Sequence, residues 1–548
     1  MTSNSSQAQV IYRNGSILTM EDSQPTAEAV AVTDGVILAV GDDVDVMNLR
    51  GAGTETIDLA GATLLPGFID SHSHMVISSR KLASVAMESP PIGGITSIAG
   101  MQAALRAELA RAPRRDDEWL VGWGYDHSGL AEGRHPDRDD LDQVATDIPI
   151  FLYHYSCHQA VVNSRGLEIL GIDADMPDPE GGVIARKPGG QEPTGLLEET
   201  AMVSANLLAM RSLVEHADPM ALVENAIDTY AAKGFTTVSE CSARPGDVPL
   251  LQEMAQAGRL KLDVVAFPFY AFTPPEEVIE LYRPDYDNHF RVGGLKLLLD
   301  GGSPGRTAYL RDPYHKQLPG EEGYRGYARV AQAEINDIVA RCFKCDLPLI
   351  IHALGDAALD QCIAALNVGQ YVAPGPDRRT QLIHLQQVQE DQYDRLRDLD
   401  VTLTFQVAHN YYFGDFHEEQ IYGPARTARL NPIASALARG LSATIHHDSP
   451  VHPIDQLFLI WTVVNRLTRS DRVIGEGQRI SVLEALKAST VDAAYQWREE
   501  DRKGSLAVGK LADFVLLDRN PLDIDPVEIK DIRVLETIKE GRTIYRAG

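Results

Sequence analysis

Short, nearly continuous apolar runs recur through the middle of the chain. They read GFTTVSECS (234–242), LKLDVVAFPF (260–269), VGGLKLLLD (292–300), LPLIIHALGD (347–356), TQLIHLQ (380–386), VTLTFQVAH (401–409) and LSATIHHDSP (441–450). ATLLPGFIDSHSH (62–74) precedes them and raises the number to eight. Between several runs lie segments with helical spacing of apolar residues, among them DAALDQCIAALNV (356–368), EDQYDRLRDL (390–399) and NPIASALARG (431–440). Strands covered on both faces need no polar alternation, so such runs belong to a parallel sheet flanked by helices. Eight strand–helix units predict an α/β fold, a (β/α)8 TIM-like barrel.

The barrel is assigned residues 62–500, more than the roughly 250 that such a fold usually takes. Most of the excess is a large insert after strand 1, residues 75–233. The insert has strand-like runs of its own, WLVGWGYD (119–126) and IPIFLYHYSCHQAVV (148–162), and a turn-rich KPGGQEPTG (187–195). Rising from the C-terminal end of strand one, it is expected to form a substrate-side subdomain, a lid or wall. The chain ends, 1–61 and 501–548, carry short strands with NG and DG turns, as in AQVIYRNGSILTM (8–20), and β-rich runs such as GSLAVGKLADFVLLDRN (504–520). Neither end is large enough to bury a core alone, so one small β-sandwich built from both is expected.

Composition narrows the class. The 548 residues are 44% hydrophobic and 23% charged, the balance of a soluble globular chain. No apolar run reaches the 18 or so residues of a membrane span. The polar start, MTSNSSQAQVIYRNG, lacks a secretory pattern, and a cytoplasmic location is expected. A net charge of −28 would repel phosphate backbones. No nucleic-acid partner and no membrane are therefore expected; the expected partners are a small-molecule substrate and a second copy of the chain in a homodimer. Five cysteines, Cys157, Cys241, Cys342, Cys345 and Cys362, make no disulfide framework. Cys342 and Cys345 fall one turn apart on a predicted helix, on one face. With no second pair nearby, they are read as reduced structural thiols.

Candidate chemistry gathers at the ends of the predicted strands, where barrels place their active sites. His72 and His74 are two residues apart after strand one, a spacing that points both side chains to one side of a strand. Strand five ends in His352, strand six in His384 and strand eight in Asp448, and strand four holds Lys296. A lone HxH is a weak signal; ligand-type residues on five strand ends are not.

Taken together, PGFIDSHSH, LKLLLDGG, IHALGD, LIHLQ, HHDSPV and GSLAVGKLADFVLLD resemble the amidohydrolase superfamily. They are closest to its amidohydrolase-3 branch, with the YtcJ-like proteins and the N-substituted formamide deformylases. LDQVATDIPIFLYHYSCHQAVVNSRGLEILGI (141–172) and GGSPGRTAYL (301–310) also resemble that branch, so the likeness covers nearly the whole chain. It implies two divalent metal ions, zinc first among the candidates, with manganese, iron or cobalt fitting the same ligands. His72, His74 and Asp448 would hold one, His352 and His384 the other, and Lys296 would bridge them as an N-carboxylated lysine. An ammonium has no lone pair to give a metal. A buried lysine loses its proton more readily and can then take up carbon dioxide. The implied reaction is hydrolysis of a C–N bond in an amide, formamide, carbamate or cyclic amide, by a hydroxide bridging the metals. Asp448 would be the catalytic proton carrier.

Some positions depart from the family pattern. The residue before Asp448 is usually small; here it is His447, preceded by His446. These could be ligands, a second base, a substrate contact or histidines behind the site. Strand seven reads QVAHN, with Gln406, His409 and Asn410, where relatives often read QP; strand two ends in SE, placing Glu240 near the rim. Position and residue type make Trp123, Tyr125, His158, Asn163, Arg306, Tyr309 and His447 candidate substrate contacts. His127, His135, His154, His216, His289, His315, His417 and His452 are assigned to surface or core. The alternatives are a mononuclear deaminase, a decarboxylase or a non-catalytic scaffold. A deaminase would need a glutamate near His352, which HALGD does not supply, and a scaffold usually lacks several ligand positions that are all filled here.

Overall fold

The computed structural model describes residues 7–112, 114–115, 117–215, 218–318, 320, 322–375 and 377–548. His216 lies outside the described residues. The expected barrel is present. Its strands are Phe68–Ile69, Phe235–Ala243, Asp263–Pro268, a fourth in two pieces (Phe290–Val292 and Leu295–Leu298), Leu349–Ala353, Thr380–His384, Val401–Phe405 and Ala443–Ile445. Neighbours pair in parallel from the first strand to the first piece of the fourth, and again from its second piece to the eighth. A parallel bridge from Phe269 to Lys296 joins the two arcs. The first and eighth strands meet through Ser71 Oγ, which donates to the Ile445 carbonyl at 2.7 Å. The strands are apolar on both faces because helices cover them, and one continuous core includes Leu297, Ile351, Leu382 and Leu403.

Two breaks in the strands position the site. The run 62–74 is not one strand. Thr63–Pro66 pairs with Phe514–Leu517 in the sheet of the chain ends, and Phe68–Ile69 alone enters the barrel. The fourth strand is interrupted at Gly293–Gly294. Gly294 has φ +153°, and a Cβ there would lie 2.2 Å from the Pro348 carbonyl oxygen, so glycine is required. The break re-aims the strand just before Lys296.

Strands from both chain ends join one mixed eight-stranded hydrogen-bonded sheet, and Tyr12, Val30, Leu64 and Phe514 from the two ends share one apolar cluster. The sheet is tied to the N-terminal end of the barrel by a buried ion network. Lys539 reaches Asp263 at 3.1 Å and Asp513 at 3.2 Å, and Arg291 meets Glu499 at 2.7 Å. Lys503 pairs with Asp263 and Glu499. This end carries structure rather than chemistry.

The insert builds a six-stranded mixed sheet, Val85–Ala86 to Pro193–Glu199, with separate apolar clusters around Trp123 and Leu152. Helix Pro219–Ala232 falls in the insert's span but packs Val223, Ile227 and Tyr230 into the barrel core. Cys342 is buried in helix Gln332–Lys344, whereas Cys345, just past the helix end, is exposed. The two thiols therefore differ in surroundings, one packed in the core and the other open at the helix end. No helix among the described residues is long and apolar enough to cross a membrane.

Candidate metal centre and substrate cavity

His72 and His74 converge, but not by strand alternation. The first barrel strand ends at Ile69, and His74 stands at the start of helix Met75–Leu82. What shapes the intervening turn is Asp70, fully buried. It accepts from the His72 backbone N–H at 3.2 Å and from the Ser239 N–H at 3.0 Å and hydroxyl at 2.8 Å. The His74 N–H donates to the Ser449 carbonyl at 2.8 Å, stitching strand one to strand eight.

The other ligand candidates close around this turn. His72 Nε2 lies 3.2 Å and His74 Nε2 3.3 Å from Asp448 Oδ1, and His384 Nδ1 lies 3.8 Å from Asp448 Oδ2. The His352 and His384 rings are 4.1 Å apart, and Lys296 lines the same cavity. His72, His384 and Asp448 each offer an atom within 4.8 Å of the others. His384 and Asp448 adopt left-handed backbone, φ +77° and +56°, a strain that tends to persist where function requires it.

This donor set fits a divalent cation. His72 Nδ1 and Nε2, His74 Nδ1 and Asp448 Oδ1 are buried without a hydrogen-bond partner, although the histidines and the carboxylate stand close. Such atoms are costly unless something else satisfies them. Burial pushes the His72 and His384 imidazoles well below their ordinary range, and His352 also down, so these rings are neutral donors. Burial would also lower His74, but the Asp448 and Glu240 carboxylates beside it outweigh that and raise the ring. The same two carboxylates that hold a proton there would draw a metal in its place. Burial works to raise Asp448; the neighbouring His384, followed by His72 and His74, outweighs it and keeps the carboxylate ionised. Burial brings the Lys296 ammonium down to about 8.

Residues outside the ligand set fix its geometry. Gln406, from the end of strand seven, donates through Nε2 to Asp448 Oδ2 at 2.9 Å, and its Oε1 stands 3.2 Å from His384 Nδ1. One amide thus orients two ligands and leaves His384 Nε2 free. Glu240 Oε1 lies 3.8 Å from His74 Nδ1. Asp300 accepts from the N–H groups of Tyr309, Leu354 and Gly355, each at 2.9 Å, and lies 3.3 Å from His352 Nε2. Truncating Gln406 to alanine is expected to weaken metal affinity and kcat by roughly 10- to 100-fold. Metal titration and steady-state kinetics of the variant check this, and unchanged affinity and kcat would show that the amide orients nothing.

His446 and His447 face opposite ways. His446 is fully buried, with its ring 5.0 Å from those of both His72 and His384. His447 packs against Tyr230 and Phe235 and accepts the Ser449 N–H at Nδ1, 2.9 Å. It lies behind the site, outside the cavity lining.

A cavity of about 170 Å³ opens over the centre, with His74, Lys296, His352, His384 and Asp448 in its wall. Barrel loops add Arg244, Phe269 and Phe272, and the insert adds Tyr153, His158, Glu199, Met202 and Asn206. Of the expected substrate contacts, His158 is placed here; its Nδ1 lies 3.1 Å from Glu199 Oε2. The others are not. Trp123 packs on Tyr153 at 4.5 Å in the core of the insert, and the Tyr125 hydroxyl is bonded to His135 Nδ1 at 3.0 Å. Asn163 caps helix Ser164–Leu170, accepting from Gly166 N–H at 2.9 Å. Arg306 stacks on Tyr314, and Tyr309 lies under Arg325, both away from the cavity. These five share one physical reason: their polar atoms or rings are used for folding the strands, caps and loops that carry them. His154, His417 and His452 are buried, His315 is exposed, and His289 pairs with Asp263 at 2.7 Å, as surface and core assignments require. His127 and His135 are half-buried beside His154.

Sequence reasoning passed over Arg244 and Glu199, and named Gln406 only as a departure from the family pattern. Arg244 directly follows strand two and Gln406 directly follows strand seven, a readable signal at a barrel's C-terminal face. Glu199 lies in the insert, and nothing in its sequence marks it.

A parallel barrel with four histidines, a buried carboxylate and a buried lysine at its C-terminal face defines a hydrolase of the metal-dependent amidohydrolase superfamily. The chain belongs to the Amidohydrolase family, whose profile matches residues 55–545. It is similar to the N-substituted formamide deformylase of Arthrobacter pascens, 26% identical over 544 residues, covering 97% of each chain. Among solved structures it is similar to an uncharacterized metal-dependent hydrolase from Pyrococcus furiosus (TM-score 0.70, 26% identity, covering 94% of this chain and 100% of that one). A second, from Pyrococcus horikoshii OT3, has the same fold (TM-score 0.72, 23% identity, covering 94% and 99%).

Proposed function

We propose that the protein hydrolyses a C–N bond of a small-molecule amide, formamide, carbamate or cyclic amide at a two-metal centre. The observation that carries this is the convergence of His72, His74, His384 and Asp448 on one another with ligand atoms left unbonded, at the floor of a cavity. His72, His74 and Asp448 would hold one ion and His352 and His384 the other, with Lys296 as a carbamate shared by both; zinc would suit imidazole and carboxylate donors. Bound ions would polarise the substrate carbonyl and bring a water near neutral pKa.

The chain's own groups do the rest. Asp448, kept ionised and oriented by Gln406, takes the proton of the attacking water and returns it to the leaving nitrogen. His158, held by Glu199, faces the cavity with its ring 6.2 Å from that of His352. The insert, residues 75–233, acts as the substrate-side subdomain, because Tyr153, His158, Met202 and Asn206 supply that wall. The resemblance to a formamide deformylase supports a small acyl group among the substrates.

Metal content per chain, measured on protein purified without chelators and again after supplementation, tests the reading together with a panel of formamides, amides and carbamates. About two ions per chain and turnover of at least one class are expected. One ion would move a mononuclear deaminase ahead, and none after supplementation would leave a non-catalytic scaffold.

A further inference from the structure

Two arginines face the cavity, and their surroundings differ. Arg329 is neutralised by Glu199, which also holds His158 at 3.0 Å. Arg244 has no such partner. Among the described residues, no carboxylate stands within 4 Å of its guanidinium. The carboxylate near it in sequence, Asp247, is already engaged: Oδ1 by the Arg80 guanidinium, Oδ2 by the backbone N–H of Arg244 itself at 2.7 Å. The side-chain hydrogen-bond partners Arg244 does have are neutral, and the Asp247 carboxylate acts on it only from beyond 4 Å. Asn206 Oδ1 meets Nη1 at 3.4 Å, the long end of a hydrogen bond, and the Tyr153 hydroxyl adjoins it. Asn206 is in turn fixed by its Nδ2, which donates to that hydroxyl at 3.1 Å.

A guanidinium carries five N–H donors in a planar fork. Here the fork is half-buried, directly after the second barrel strand, with its backbone anchored and most of its donors free to meet a ligand. In a chain of net charge −28, an unneutralised cation in the cavity above the metal ligands is an exception. Beside it the wall is apolar, from Met202, Leu207, Phe269 and Phe272. One guanidinium with neutral neighbours matches a monoanion; a phosphate dianion would find one free cation and face Glu199.

We propose that Arg244 anchors a carboxylate on the substrate, so that the substrate class is an amide or formamide whose apolar body carries a carboxylate, of the N-acyl amino acid type. This rests on the hydrolase reading above. Water adds to the acyl carbonyl, the C–N bond breaks, the proton goes to nitrogen, and an acid and an amino acid leave. Arg244 forms a bidentate pair with the far carboxylate while the apolar side chain lies on Phe269 and Phe272.

The test compares N-formylphenylalanine with its neutral carboxamide, both enantiomers of each, on the full-length metal-loaded chain. Binding is measured by calorimetry on metal-loaded and metal-stripped protein, and turnover on the former. The acid is expected to bind and react roughly 10- to 100-fold better than the carboxamide, as a charged hydrogen-bonded pair provides. Arg244→Gln should bring that ratio close to one by raising KM for the acid, and Arg244→Lys should restore part of it. The preference should persist without metal, which separates Arg244 from a carboxylate bound to the ions. An acid-to-carboxamide ratio near one in the unaltered protein, or a ratio that survives Arg244→Gln, overturns the anchor. Failure to turn over any probe, with the acid preference intact in binding, would overturn the hydrolase reading and leave the anchor standing.

Discussion

Asp448→Asn is expected to lose roughly 100- to 10,000-fold in kcat while keeping its unfolding midpoint. Three features lead to this outcome. Asp448 sits at φ +56°, where asparagine is among the few residues that fit without strain, so the backbone is undisturbed. Shape is conserved, and Gln406 can rotate its amide to keep a hydrogen bond to the new side chain. What disappears is the negative charge that His384, His72 and His74 hold in place, and with it the capacity to accept a proton at Oδ2. Alanine at this position would be a poorer experiment, since it adds backbone strain to loss of chemistry. Thermal unfolding, metal content and single-turnover kinetics on the asparagine variant separate the effects. Near-normal turnover with metal still bound would remove Asp448 from proton transfer.

The barrel was legible because each strand is a short apolar run with its chemistry at one end. TQLIHLQ and LPLIIHALGD become Thr380–His384 and Leu349–Ala353, with the histidines at the strand termini. The first strand was legible only in part. ATLLPGFID reads as continuous, yet the chain changes sheets at Gly67, because pairing with Phe514–Leu517 is a contact some 450 residues distant that no local pattern encodes. The chain ends were legible as strands, but their order in the sheet was not. Strand propensity is local, but which strands pair depends on partners remote in sequence.

At the site, the type and spacing of His72, His74, His352, His384 and Asp448 showed where ligands would gather, since a barrel delivers every strand end to one face. The substrate wall was not legible. Trp123, Tyr125 and Asn163 have the composition of a binding site, but in the insert such groups also close cores and cap helices, and here they do. Glu199 and Asn206 reach the cavity only because the insert folds back over the barrel. His446 and His447 show the limit most sharply: adjacent and identical in type, they differ in role through the direction in which the chain leaves strand eight.

Lys296→Met is expected to bind one ion or fewer per chain and to lose at least about 100-fold in turnover, a magnitude in line with loss of a metal site's bridging ligand. Methionine fills the buried space without a charge, so a folding defect is not the anticipated cause. The pH dependence gives an independent check. With the ammonium at about 8, the amine is mostly protonated at pH 7 and mostly neutral at pH 9. Only the neutral amine reacts with carbon dioxide, so metal reconstitution of the unaltered protein should be faster at the higher pH and depend on bicarbonate. Stability of the metal-free protein follows the same linkage. The folded value lies below the unfolded value of 10.5, so between about 8 and 10.5 the unfolded chain binds a proton that the folded chain does not. Stability from this group is therefore complete above 10.5 and is lost as pH falls through about 8, a swing of up to about 3 kcal/mol. Metal-free Lys296→Met lacks that swing. It should be the more stable protein at pH 7, with its advantage shrinking as pH rises. A constant difference across that range would mean that Lys296 is not held in a desolvated, proton-releasing environment, and the carbamate bridge would lose its chemical basis.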